Sequence, residues 1–257
     1  MSKEQNKALV LKAHNMLFSD KDIKALELYF SPDFIEHSPL VTDGIPGLKE
    51  LVTSCPNMDY KVSRVLGDDS GLVALHGRFV GLDEHPLVGF DIYRVENGKI
   101  VEHWDGLVPE APKNISDRSQ LDGPTEVDTK ADSEENRKLV KIFFAETLIG
   151  GDYSGFKRFS DGHTFYQHSP DIGDGVEPVI QFLEQLKTES SALHYDKIHR
   201  TVADGQFVLT HSEGSIAGAR HAYFELWRVE NGKIIELWDA IPAVPSDEEA
   251  VHNYGIF

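Results

Sequence analysis

Residues 90–105 read FDIYRVENGKIVEHWD and residues 224–239 read FELWRVENGKIIELWD, identical at 11 of 16 positions. The correspondence extends upstream. Phe34-Ile35-Glu36-His37-Ser38-Pro39 answers Phe165-Tyr166-Gln167-His168-Ser169-Pro170 at a spacing of 131, and His76 answers His211 at a spacing of 135. A period this long marks a duplicated domain and not a solenoid unit, because each copy is long enough to close its own core. The 257 residues are therefore expected to form two domains, 1–110 and 132–257, joined by a surface linker at 111–131 rich in Pro, Asp, Ser, Thr and Lys.

Each copy shows helical periodicity first and alternating periodicity afterwards. In the first copy the spacing predicts helices over about 3–18, 22–30 and 45–53, a short extended piece at 34–37, and strands at 60–66, 72–80, 87–95 and 100–108. The second copy repeats that order, with helices near 136–148, 153–159 and 178–186 and strands near 192–202, 207–214, 221–229 and 234–241. Asn97-Gly98 and Asn231-Gly232 each predict a tight hairpin that needs positive backbone φ. Helices followed by antiparallel strands give an α+β architecture: two tandem cones, each with N-terminal helices on a curved, mainly antiparallel sheet. The hollow between helices and sheet is the natural place for a small-molecule ligand.

Charge and composition narrow the functions. A formal net charge of −18 without a basic patch argues against nucleic acid or an anionic membrane as partner. The single cysteine, Cys55, excludes an intrachain disulfide and a cysteine zinc cluster, and fits a reducing cytosol. The polar start of the sequence and the lack of a long apolar run predict a cytoplasmic protein.

The His-Ser-Pro after the second helix, the Asp-Ile-Tyr-Arg-Val strand, the Glu-Asn-Gly-Lys-Ile turn and the closing Glu-His-Trp-Asp resemble the SnoaL-like polyketide cyclase family. The closer likeness is to its predicted aldol-condensation branch, within the nuclear-transport-factor-2-like superfamily. The resemblance covers both copies almost end to end. It implies an internal pseudo-dimer, open to further oligomerisation, since proteins of this superfamily often dimerise through the outer face of the sheet. It also implies cofactor-independent chemistry, with a carboxylate on the penultimate strand as general acid/base. The matching positions are Asp91 and Glu225.

An aldol-type closure needs a base for the α-proton and a donor for the developing enolate oxygen. Asp91, flanked by Phe90, Ile92 and Tyr93, is the expected base, with His76 or His37 as polarising donor. A hairpin without a bulge places Asp91 opposite Trp104 and sends His103 to the other face, whereas one β-bulge reverses this. The expectation is the unbulged pair Asp91 and Trp104, repeated by Glu225 and Trp238, with Tyr93, His103, His168 and His211 as further binding candidates. A buried histidine satisfied by a loop carbonyl is the structural alternative for His37. His103 has Leu237 as its counterpart, so the first copy is favoured if only one is active. Three imidazoles, His37, His76 and His103, could converge on a metal, but none sit at metal-motif spacing, and neither metal nor cofactor is expected. The expected function is an acid/base cyclase or isomerase acting on a small, largely apolar carbonyl compound. The alternative is a non-catalytic small-molecule-binding or protein-interaction module of the same fold.

Overall fold

The computed structural model describes residues 1–189, 191–246 and 248–257. The chain divides into two compact units, Met1–Glu110 with Val244–Phe257, and Ala111–Ala243. This grouping differs from the expected one at two places. Residues 111–131 pack with the second unit, and the last stretch of the chain packs with the first.

In the first unit, α1 (Lys3–His14) runs into a π-helical turn at Asn15–Ser19, followed by α2 (Lys24–Tyr29), β1 (Phe30–Glu36) and α3 (Gly44–Ser54). Then come β2 (Asp59–Gly67), β3 (Leu72–Val80), β4 (Leu87–Glu96) and β5 (Lys99–Pro109). Ser2 caps α1 through a reciprocal capping box with Gln5, which satisfies donors that the first helical turn leaves open. The strands form one five-stranded sheet in the order β1-β5-β4-β3-β2, with β1 parallel to β5 and the rest antiparallel. Side chains alternate across it. Val73, Leu75, Phe79, Leu87, Tyr93 and Val95 join Val10, Ala13, Leu17 and Phe18 of the helical layer in one core.

The second unit repeats the order: α4 (Ser133–Phe143), a π-helical turn at Phe144–Ile149, α5 (Gly155–Phe159), β6 (Tyr166–Gln167) and α6 (Val176–Thr188). Its remaining strands are β7 (Leu193–Asp204), β8 (Phe207–Ile216), β9 (Ala219–Glu230) and β10 (Lys233–Ala240), and the sheet order is β6-β10-β9-β8-β7. Its separate core centres on Phe143, Phe144, Tyr195, Tyr223 and Trp227. The segment expected to be a linker is instead an ordered strap. Asn114 is buried and its side-chain amide donates to the carbonyls of Gln167, Ser169 and Ile172, while Arg118 pairs with Asp174 at 2.7 Å.

Both Asn-Gly turns form as the sequence predicts, with positive φ at Asn97, Gly98, Asn231 and Gly232. Each hairpin then carries a bulge. Val95 pairs with Ile100 but Arg94 pairs with Glu102, so Val101 is an extra residue, and Ile235 plays that part between Ile234 and Glu236. No helix among the described residues is long and apolar enough to cross a membrane.

Candidate active site

The bulge decides which side chains share the cone. Past Val101, Asp91 lies opposite Asp105, Tyr93 opposite His103 and Ile92 opposite Trp104. Asp91, Tyr93, His103 and Asp105 therefore face the helices. This corrects the unbulged register, which paired Asp91 with Trp104 and turned His103 away. One inserted residue exchanges the two faces of the whole strand end, because side chains alternate with period two.

β1 supplies the next member. Its parallel pairing sets Glu36 beside His103, with His103 Nδ1 at 2.7 Å from Glu36 Oε1 and its Nε2 at 3.1 Å from Asp91 Oδ1. The imidazole thus bridges two buried carboxylates and stacks on Tyr93 at a 4.5 Å centroid separation. Ser38 closes the group: its hydroxyl donates to Asp105 Oδ2 at 2.8 Å and its backbone N–H to Glu36 Oε1 at 2.9 Å. Tyr60 packs beside these residues, and its ring needs Gly77, where an added Cβ would lie 2.7 Å from the Tyr60 hydroxyl oxygen.

The electrostatics follow from burial. Desolvation lowers the affinity of His103 for its second proton. The charge of Glu36 and the hydrogen bonds to Asp91 and Glu36 overcome this and hold it well above an ordinary histidine. Burial pushes Asp105 up to about 7, with the nearby His103 cation opposing. Burial, reinforced by the charge of Asp91, raises the phenols of Tyr60 and Tyr93. His14, enclosed by Phe18, Tyr60, Phe79 and Tyr93, falls to about 4 because burial outweighs the pull of Asp91, so it is neutral at physiological pH.

Glu36, Ser38, Asp91, His103 and Asp105 line a cavity walled by Phe18, Leu48, Leu51, Phe79, Leu82 and Leu107. The space open to the centre of a water molecule is about 20 Å³, which suits one water and not a larger guest.

Apart from Glu225, the other sequence candidates lie on the opposite face of the sheets. His76 pairs across the strands with Phe90, stacks on it at 4.2 Å and meets Arg64 at 3.0 Å, so it cannot serve as a donor in the cone. His37 stacks on Trp104 at 5.0 Å, approaches Glu102 Oε1 at 2.8 Å and donates from Nδ1 to the carbonyl of Gly255 at 2.8 Å. Trp104 is on that face too. The second unit repeats the arrangement: His168 stacks on Trp238 at 4.6 Å, meets Glu236 at 2.9 Å and caps the carbonyl of Ser119 at 2.7 Å. His211 stacks on Phe224 and pairs with Arg200. The duplicated histidines thus tie covering segments and arginines to the sheets, and His37, His76 and His103 do not converge. Glu36, Asp105, Ser38, Tyr60 and His14 were not singled out from sequence. For Glu36 a signal existed, since it stands one residue before the duplicated His-Ser-Pro.

Residues 11–103 match the family described as SnoaL-like domain. Comparison with curated proteins gives no match. Among solved structures, TsrD from Streptomyces laurentii is 15% identical with a TM-score of 0.36, over 42% of this chain and 90% of its own. A candidate polyketide cyclase from Acidithiobacillus ferrooxidans is 17% identical with a TM-score of 0.35, over 42% of this chain and 91% of its own. A candidate ketosteroid isomerase from Kribbella flavida is 17% identical with a TM-score of 0.38, over 46% and 84% respectively. The residues that match this family all fall within the first unit, and the second unit repeats the element order, sheet order and bulged hairpin of the first.

Proposed function

We propose that the first unit is a cofactor-independent acid/base catalyst of the aldol-type cyclase or isomerase kind, acting on a small, largely apolar carbonyl compound. The observation that carries this reading is the state of Asp91. One carboxylate oxygen is fixed by His103, while the other, Oδ2, is buried with no partner at full hydrogen-bonding distance, the Tyr60 phenol being the carboxylate's other polar neighbour, in a residue that lines the cavity. A buried acceptor left open is costly unless the site uses it.

In this reading Asp91 Oδ2 takes the proton α to a carbonyl, and the C–H electron pair moves to the carbonyl oxygen as an enolate. Asp105, near 7 and so partly protonated at neutral pH, donates to that oxygen, a role that suits a carboxylic acid kept neutral by its surroundings. The enolate carbon then attacks a second carbonyl of the substrate, or takes the proton back at another carbon. His103 and Glu36 hold the base in place. Since the cavity admits one water as it stands, binding requires its lining side chains to part, the exposed Leu40 among them.

The test is α-proton exchange in D2O, followed by NMR, over a panel of small cyclic ketones and β-keto esters. Asp91→Asn is expected to lower the exchange rate by about 10²–10⁴-fold while ligand affinity survives. Exchange that proceeds equally well in Asp91→Asn sinks the proposal.

A further inference from the structure

The second unit keeps part of the site and loses its cation. Glu225 stands for Asp91 and lies opposite Asp239, the counterpart of Asp105, while Tyr195 stands for Tyr60 and Ser169 for Ser38. Leu237 replaces His103, Gln167 replaces Glu36 and Phe144 replaces His14. The Tyr195 hydroxyl donates to Glu225 Oε1 at 2.8 Å, and Glu225 Oε2 is buried without a partner.

The groups around Glu225 come from every neighbouring strand: Tyr195 on β7, Thr210 on β8, Tyr223 and Trp227 on β9, and Asp239 on β10. No cationic side chain among the described residues contacts it. A charge buried with only a phenol and a second acid for company is costly, and a carboxyl group in that setting keeps its proton. In the first unit the imidazole of His103 supplies the counter-charge at 3.1 Å.

We propose that the two units divide the chemistry: the first holds the base, and the second holds a neutral carboxylic acid at the same position, a donor to an uncharged oxygen acceptor that cannot remove an α-proton at neutral pH. The catalytic half of this statement rests on the function proposed above. The acid half does not. Burial holds Glu225 at about 8, against the opposing hydrogen bond from Tyr195, which supports the same assignment.

The infrared spectrum at pH 7 tests the acid half without any turnover. The wild-type protein is expected to show a protonated carboxylic acid C=O stretch, with contributions from Asp105 and Asp239, whose intensity Glu225→Gln lowers by one carboxyl group. The double variant Leu237→His with Gln167→Glu is expected to lose the same Glu225 component, because the new imidazole pairs with Glu225 and ionises it. If that double variant does not fold, the Glu225→Gln spectrum decides by itself. Superimposable wild-type and Glu225→Gln spectra in this region overturn the assignment. The catalytic half is overturned if Asp91→Asn retains α-proton exchange within tenfold of wild type, since the second unit then removes the proton. A wild-type protein with no exchange on any carbonyl probe removes the proposed function and leaves the infrared result standing.

Discussion

At Glu225 the same burial that keeps the proton on has a stability signature. Its folded pKa of about 8 exceeds the ordinary 4.5, so between these values the unfolded chain has released a proton that the folded one still holds. Stability is therefore greatest below about pH 4.5 and falls as pH rises towards 8. Glu225→Gln, which removes the titration and keeps an acceptor for Tyr195, is expected to stabilise the second unit by about 3 kcal/mol at pH 7 and by little at pH 4.5. Urea unfolding across that range measures it. His103 has the opposite role. Substituting it with leucine, the residue of the second unit, strands Glu36 and Asp91 without their cation, at an expected cost of about 3–5 kcal/mol. Because the folded pKa of His103 is raised, its stabilisation is fully present at acid pH and lost as pH climbs through the folded value. The penalty of His103→Leu should shrink accordingly in alkaline solution.

At the level of elements, the segment that covers His37 is a contributor to stability that no periodicity announces. His252 Nε2 donates to the carbonyl of Ser38 at 2.9 Å, the carbonyl of Gly255 accepts from His37 at 2.8 Å, and Ile256 is buried. Deleting residues 251–257 is expected to cost the first unit about 3 kcal/mol, from two lost hydrogen bonds and one re-exposed aliphatic side chain. Thermal unfolding followed through each unit's own tryptophans, Trp104 against Trp227 and Trp238, reads which unit is affected. The helices and strands themselves were legible in sequence, because Leu9, Val10, Ala13 and Leu17, or Val73, Leu75 and Phe79, carry their period in the chain. The site was half legible. Asp91 was found by its place on the strand, but the faces of His103 and Trp104 turned on Val101, and an Asn-Gly turn does not say whether a bulge follows it. The partnership of Glu36 with His103 comes from a parallel pairing 67 residues apart, a contact that local patterning does not encode.

Across the whole molecule, the second unit is continuous in sequence whereas the first is completed by residues 244–257. The fragment 111–243 contains every residue of the second unit and is expected to fold cooperatively alone. The fragment 1–110 lacks Gly255 and His252, which bond His37 and Ser38, and is expected to unfold at lower urea concentration than the same residues do in the full chain. Circular dichroism on the two fragments and the intact protein checks both. An order of events during translation follows as well. Since the ribosome delivers the clamp on His37 only after residue 243, the unit that begins first is the one that finishes last, and the sheet that carries the proposed base waits for its closing segment until the second sheet has already been made.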